Sequence, residues 1–180
     1  MAQESAALPD GGADGRTIPD DWLNDYSSYQ RCFVCGQRNH AGLQTRYRQE
    51  ADRIVTEFTG DERHQGFPGV LHGGIVATLL DETMGRTALF ERAWVMTGRL
   101  EVRYRNPAPL GEPLTVSAWP TRVRSRSVEA RGEVRTPSGT LLADATGLFL
   151  KVPEEVKRQA EEAHPEFSEY FNAGMPRDEG

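Results

Sequence analysis

The chain predicts an α+β fold, with one main helix laid against an antiparallel sheet. Three observations carry this. Apolar residues recur at every second position through most of the readable segments. The spacing changes to three and four in one long stretch, from Gly74 to about Glu91. Four strand-like runs then follow that helix in succession, giving the order β-β-α-β-β-β-β. A length of 180 residues holds one domain with a core and tails.

Taken in order, residues 1–20 are rich in Gly, Ala, Asp and Pro, lack periodicity and predict disorder. Residues 21–30 (DWLNDYSSYQ) predict a short docking helix. The runs 43–50 and 53–60 flank Ala51-Asp52 and predict a hairpin. Gly66, Pro68 and Gly69 punctuate a loop over 61–71. In the helix, Ile75, Val76, Leu79, Leu80, Thr83 and Met84 form the stripe of a half-buried face. Over 97–107, Leu100, Val102 and Tyr104 alternate with Arg99, Glu101, Arg103 and Arg105. Strands follow at 113–123, 127–135 and 139–152, the last two joined by a tight Pro137-Ser138-Gly139 turn. Residues 153–171 are polar, and any helix there is interrupted by Pro165. The expected organisation is a domain over 26–152, an acidic disordered tail over 1–25, and a partly helical acidic tail over 153–180.

Charge is unevenly spread. Six acids and one Arg give 1–25 a charge of −5; eight acids against Lys157, Arg158 and Arg177 give 153–180 another −5. With −6 overall, the middle carries +4. A mildly basic middle is compatible with a phosphate-bearing ligand and far too weak for nucleic acid, for which no motif is present. No run of 18 apolar residues exists to span a membrane. The N-terminus lacks the basic and apolar regions of a secretory signal, so cytoplasmic residence is expected.

The stretch 67-FPGVLHGGIVATLLDETMG-85 concentrates the chemistry. Gly73 and Gly74 fall where the first helical amides have no partner within the helix and where the helix dipole favours negative charge. Glycine also admits a ligand oxygen close to the main chain. This describes donors for a developing oxyanion; it equally describes a sharp loop-to-helix turn. Asp81 shares a helix side with Gly74, Ala77, Thr78, Met84 and Gly85, a small and mildly polar surface. A carboxylate so placed can act as base or nucleophile. Glu82 and Arg86 read as an ordinary i,i+4 pair facing water. Asp81 lies eight residues past Gly73, about 12 Å along the axis at 1.5 Å per residue. One reacting centre needs both groups within about 3–3.5 Å. Two antiparallel copies of the helix satisfy that requirement, so a catalytic use of both predicts at least a dimer with composite sites.

The thiols of 32-CFVC-35 leave three readings open: small residues packing a turn, a redox pair, or half of a zinc site completed by a second chain.

The segments 32-CFVCGQRNHAGL-43, 64-HQGFPGVLHGGIVATLLDE-82 and 95-VMTGRLEVRYRNPAPLGEP-113 together resemble hotdog-fold acyl-CoA thioesterases of the phenylacetate-pathway type and their mitochondrial animal relatives. The resemblance covers about 120 residues, 32–152. It implies a long central helix wrapped by a curved antiparallel sheet, paired into dimers or dimers of dimers. It implies hydrolysis of an acyl-CoA to free acid and CoA, with no metal and no cofactor. By position, Asp81 is the general base or nucleophile, the Gly73 amide polarises the thioester carbonyl with His72 nearby, and Thr97 helps hold the attacking water. Where some relatives carry an Asn six residues before the His, this chain has Gly66, with Gln65 as a possible substitute. Gly74 and Gln65 are expected near substrate. Arg99 and Arg124, with Arg103, Arg105, Arg122 and Arg126, are candidates for the CoA phosphates, and Met84, Leu89 and Phe90 for an acyl tunnel. The competing expectations are an acyl-CoA or fatty-acid binding protein without turnover, and a hotdog dehydratase.

Overall fold

The computed structural model describes residues 17–18, 20–24 and 30–165. Six antiparallel strands form one sheet in the order β1-β2-β4-β5-β6-β3. They are β1 (Tyr47–Glu50), β2 (Arg53–Thr59), β3 (Val95–Tyr104), β4 (Pro113–Val123), β5 (Ser127–Arg135) and β6 (Leu141–Lys151). The helices are α1 (Asp20–Asn24), α2 (Gly73–Gly85) and α3 (Glu154–Ala163). The strands pair in sequence order except β3, which crosses to the far edge and pairs with β6. Bulges at Thr97/Arg99, Pro120/Arg122 and Val134/Arg135 interrupt the ladders. Such insertions bend strands and increase their twist.

Helix α2 packs across β3, β4, β5 and β6. Of the predicted stripe, Val76, Leu79, Leu80, Thr83 and Met84 are buried, and Ile75 only partly. The helix meets Leu114, Val116, Ala130, Val134, Ala143 and Phe149, the inward residues of the sheet. Each large apolar side chain removed from water this way contributes about 1.5–3 kcal/mol. A second cluster joins Ile18, Trp22, Leu23, Tyr47, Ile54 and Leu89. Packing therefore begins before the expected boundary at residue 26, because α1 anchors its aromatic and aliphatic residues under β1 and β2. Of the tail expected to be disordered, residues 1–16 lie outside the described residues, as does the C-terminal tail beyond 165.

Three sequence expectations are corrected. The helix does not continue as α to Glu91: it tightens into a 3₁₀ turn over Arg86–Glu91 and ends at Arg92 in the left-handed region, φ 49°. Strand β1 starts at Tyr47 rather than Leu43. Gln44 takes φ 51°, and the amides of Leu43 and Thr45 donate instead to the carbonyls of Phe33 and Val34, at 2.8 and 2.9 Å. Arg86 does not face water. It is 7% exposed, its guanidinium donates to the Leu23 carbonyl at 2.7 Å and to Glu82 at 3.0 Å, and it stacks over the Tyr47 ring at 4.1 Å. The reason is α1 together with β1, which cover that side of the helix, a tertiary contact that local spacing does not encode.

Candidate active site

The start of α2 is held by its own preceding loop. His72 is the N-cap residue, and its Nδ1 accepts from the Gly74 amide at 2.9 Å. The His72 amide donates to the His64 carbonyl at 2.8 Å, bringing the 61–66 segment back onto the motif. Gly66 lies so close that a β-carbon there would come within 3.1 Å of the His72 α-carbon. Gln65 is committed to its own loop, accepting from the Gly69 amide at 2.8 Å. Of the two glycine amides, Gly74's is thus engaged by His72, whereas Gly73's has no partner among the described residues. The Gly73 carbonyl accepts from Tyr104 Oη at 2.8 Å. Sequence periodicity grouped Tyr104 with inward residues of β3; it is 56% exposed and instead braces the helix start.

Asp81 lies two turns along α2, half-buried. Thr97 Oγ1 donates to Asp81 Oδ1 at 2.8 Å, so the structure joins two residues 16 apart in sequence. The bulge at Thr97/Arg99 falls at this point of β3, and bulges commonly re-aim side chains next to sites. Burial raises the Asp81 pKa above its usual range; the Thr97 hydrogen bond opposes the shift, and the Glu82 charge adds to it. A carboxyl poised this way can accept a proton from water and return it to a leaving group.

Asp81 and Gly73 open into different clefts. Asp81, Glu82, Arg86, Leu89, Trp94 and Thr97 line one of about 130 Å³. Leu71, Gly73, Val76, Tyr104, Ala108 and Leu142 line another of about 370 Å³. Of the proposed tunnel residues, Leu89 lines the Asp81 cleft, Met84 is fully buried in the main core, and Phe90 packs on the second cluster. Neither Arg99 nor Arg124 lines either cleft. Arg99 shares a separate groove with Thr121, Glu129, Arg131 and Thr146, and Arg124 approaches Glu129 at 3.8 Å.

The two thiols are unbridged and half-buried beside α2. The hydrogen bond from Cys35 draws the Cys32 thiol down to about 6, aided by the Cys35 and Val34 amides against burial, while Cys35 is pushed up by that same bond and by burial. No helix among the described residues is long and apolar enough to cross a membrane.

Comparison with known proteins places this geometry. Residues 68–143 match the thioesterase superfamily. The chain is 34% identical over 107 residues to acyl-coenzyme A thioesterase THEM4 of Xenopus laevis, which covers 59% of this chain and 48% of that protein. It is 32% identical over 68 residues to human acyl-coenzyme A thioesterase 13, covering 37% of this chain and 49% of the relative. The chain thus spans about half the length of these curated relatives. A solved thioesterase superfamily protein superimposes with a TM-score of 0.65 at 29% identity, over 77% of this chain and 68% of the other. Zebrafish thioesterase superfamily member 2 superimposes with a TM-score of 0.60 at 21% identity, over 71% and 96%. The sheet and its packed helix are the hotdog fold of these thioesterases.

Proposed function

We propose, from the match of residues 68–143 to the thioesterase superfamily, that the protein hydrolyses an acyl-CoA thioester to a free acid and CoA at a site shared by two copies of the chain. The observation that carries the reading is the Thr97–Asp81 hydrogen bond of 2.8 Å in a cleft separate from the free Gly73 amide. A carboxylate and a carbonyl-polarising donor on one helix, about 12 Å apart by helical rise, cannot meet at one carbon. A second copy running antiparallel supplies the missing half.

In this reading the thioester carbonyl oxygen accepts from the Gly73 amide of one subunit at the helix N-terminus, where the dipole favours the oxyanion. Asp81 of the other subunit takes a proton from a water that Thr97 helps hold. The water oxygen bonds to the carbonyl carbon, the C–S bond breaks, and Asp81 returns the proton to the departing CoA sulfur. Asp81 acting directly as nucleophile gives the same products through a transient anhydride. His72 serves as the N-cap that fixes the direction of the Gly73 amide, rather than as an acid or base. Arg99, two residues past Thr97 on the edge strand, is the nearer candidate for the CoA phosphates; Arg124, already near Glu129, is the weaker one. The phenylacetate-pathway subtype is carried by motif spacing alone.

The test is a panel of aliphatic and aryl acyl-CoAs, with release of the CoA thiol measured for the wild type and for Asp81→Asn. General acid–base groups contribute about 10²–10⁴ in rate, so the variant is expected to lose at least about a hundredfold in kcat on the preferred substrate. Turnover equal to wild type removes Asp81 from the mechanism. Recovery of intact acyl-CoA from every wild-type incubation removes the hydrolase.

A further inference from the structure

The cysteine-bearing loop over residues 30–45 is built in a way the hydrolytic site does not use. Cys32, Phe33, Val34 and Cys35 form a turn in which the Gly36 amide donates to the Cys32 carbonyl at 3.0 Å and the Val34 amide donates to Cys32 Sγ at 3.4 Å. A β-carbon on Gly36 would sit 2.5–2.6 Å from the Gln30 carbonyl oxygen and from the Cys32 amide nitrogen and carbonyl oxygen, so the turn closes this tightly only around glycine. An amide aimed at sulfur and a glycine after the second Cys turn both thiols toward one side. On that side lies the Glu82 carboxylate, from α2. One ligand atom from each of Cys32, Cys35 and Glu82 lies within 4.8 Å of the other two.

We propose that Cys32, Cys35 and Glu82 bind one thiophilic divalent cation of the zinc class, which staples the 30–45 loop to α2. Zn–S bonds of about 2.3 Å and Zn–O bonds of about 2.0–2.2 Å set tetrahedral ligand separations of about 3.4–3.8 Å. The three ligand atoms, within 4.8 Å of one another, stand at most about 1 Å wider than that geometry. All three residues are only half-buried, which leaves the fourth position to water.

Charge favours a divalent ion. Two thiolates and one carboxylate carry −3, and the buried Arg86 guanidinium, 3.0 Å from Glu82, carries +1. A dication brings the group to neutrality, as burial demands. Arg86 does not compete for the site, because a carboxylate has two oxygens and four acceptor positions. Beyond its pair with Arg86, the Glu82 carboxylate stands within 4.8 Å of both sulfurs, a third donor that a packing pair or a disulfide does not call for.

The test uses the full chain, metal-stripped and kept reduced. Titration with cobalt(II) is expected to give one equivalent per chain, with the thiolate charge-transfer and visible bands of a four-coordinate site. Zinc displaces cobalt one for one and raises the melting temperature. Cys32→Ser and Cys35→Ser each abolish the bands, and Glu82→Gln weakens cobalt affinity by about tenfold or more. If a serine variant fails to fold, zinc protection of both thiols from alkylation in the wild type gives the same reading. Two free thiols per chain with no cobalt bands overturn the proposal, as does binding unchanged in Glu82→Gln. Half an equivalent per chain also overturns it, in favour of four thiols from two chains.

Discussion

A single hydrogen bond decides how the central carboxyl behaves. Burial holds the Asp81 carboxyl above its usual range, and the Thr97 hydroxyl pulls it back. Thr97→Val keeps the branched shape and removes the hydroxyl, so the Asp81 pKa rises further. If ionised Asp81 is the base, the acid limb of the kcat/KM profile moves to higher pH while the alkaline plateau changes less; a limb that stays put separates Thr97 from Asp81. The same shift has a stability consequence. A carboxyl whose pKa is raised on folding stabilises the fold below its unfolded value, near 3.8, and that contribution is lost as pH rises through the folded value. Asp81→Asn cannot ionise. It is therefore expected to gain stability relative to wild type across that window and to keep the gain at neutral pH, read as the difference in urea midpoint on either side. Asp81 and Thr97 were each legible in the sequence through motif and resemblance, but the direct hydrogen bond between them was not. Nor were Tyr104 and Arg86: each is positioned by an element distant in sequence, and neither period two nor period 3.6 carries that information.

At the level of elements, the joint between loop and helix matters most. His72 caps α2 by accepting from Gly74, and loss of an N-cap side chain costs about 0.5–2 kcal/mol. His72→Ala is expected to lose about 1 kcal/mol in chemical denaturation, and His72→Asn, another good cap, to lose much less. Activity separates the roles. A cap holds the Gly73 amide in direction, so Asn restores most of kcat that Ala loses; two variants equally inactive point to the imidazole itself. The existence of α2 and of the four strands after it followed from hydrophobic spacing, because burial of one face is what sets that spacing. Their ends were less legible. The start of β1 is set by Leu43 and Thr45 bonding to the cysteine loop, and the tightening of α2 after Gly85 accompanies the packing of Arg86 under α1. Both are tertiary competitions for backbone and side-chain donors.

The molecule as a whole ends its sheet asymmetrically. One edge is the four-residue β1; the other is β3, ten residues long and, among the described residues, paired only with β6. Along that edge Met96 is 54% exposed, with Tyr104 exposed beside the helix start. A long open edge with apolar exposure is a template for pairing, and β3 also carries Thr97 and Arg99. Association of two copies here agrees with the need for a shared site, and it can be read without a structure of the pair. Gly73→Pro removes the one amide the mechanism requires. Proline suits the first helical position, and His72, at φ −59° and ψ 132°, already has the extended backbone that precedes proline. A β-carbon at Gly73 makes ordinary 3.5 Å contact with the Tyr104 ring. The variant should fold and lose about 10²–10³ in kcat, as when an oxyanion donor is removed. Asp81→Ala should be similarly inactive. Unfolded together and refolded as an equal mixture, the two give half mixed dimers if pairing is random, and each mixed dimer holds one intact centre of two. Recovery of roughly a quarter of wild-type activity is then expected. If each centre were built within one chain, the mixed dimers would gain nothing and the mixture would stay as inactive as its parts.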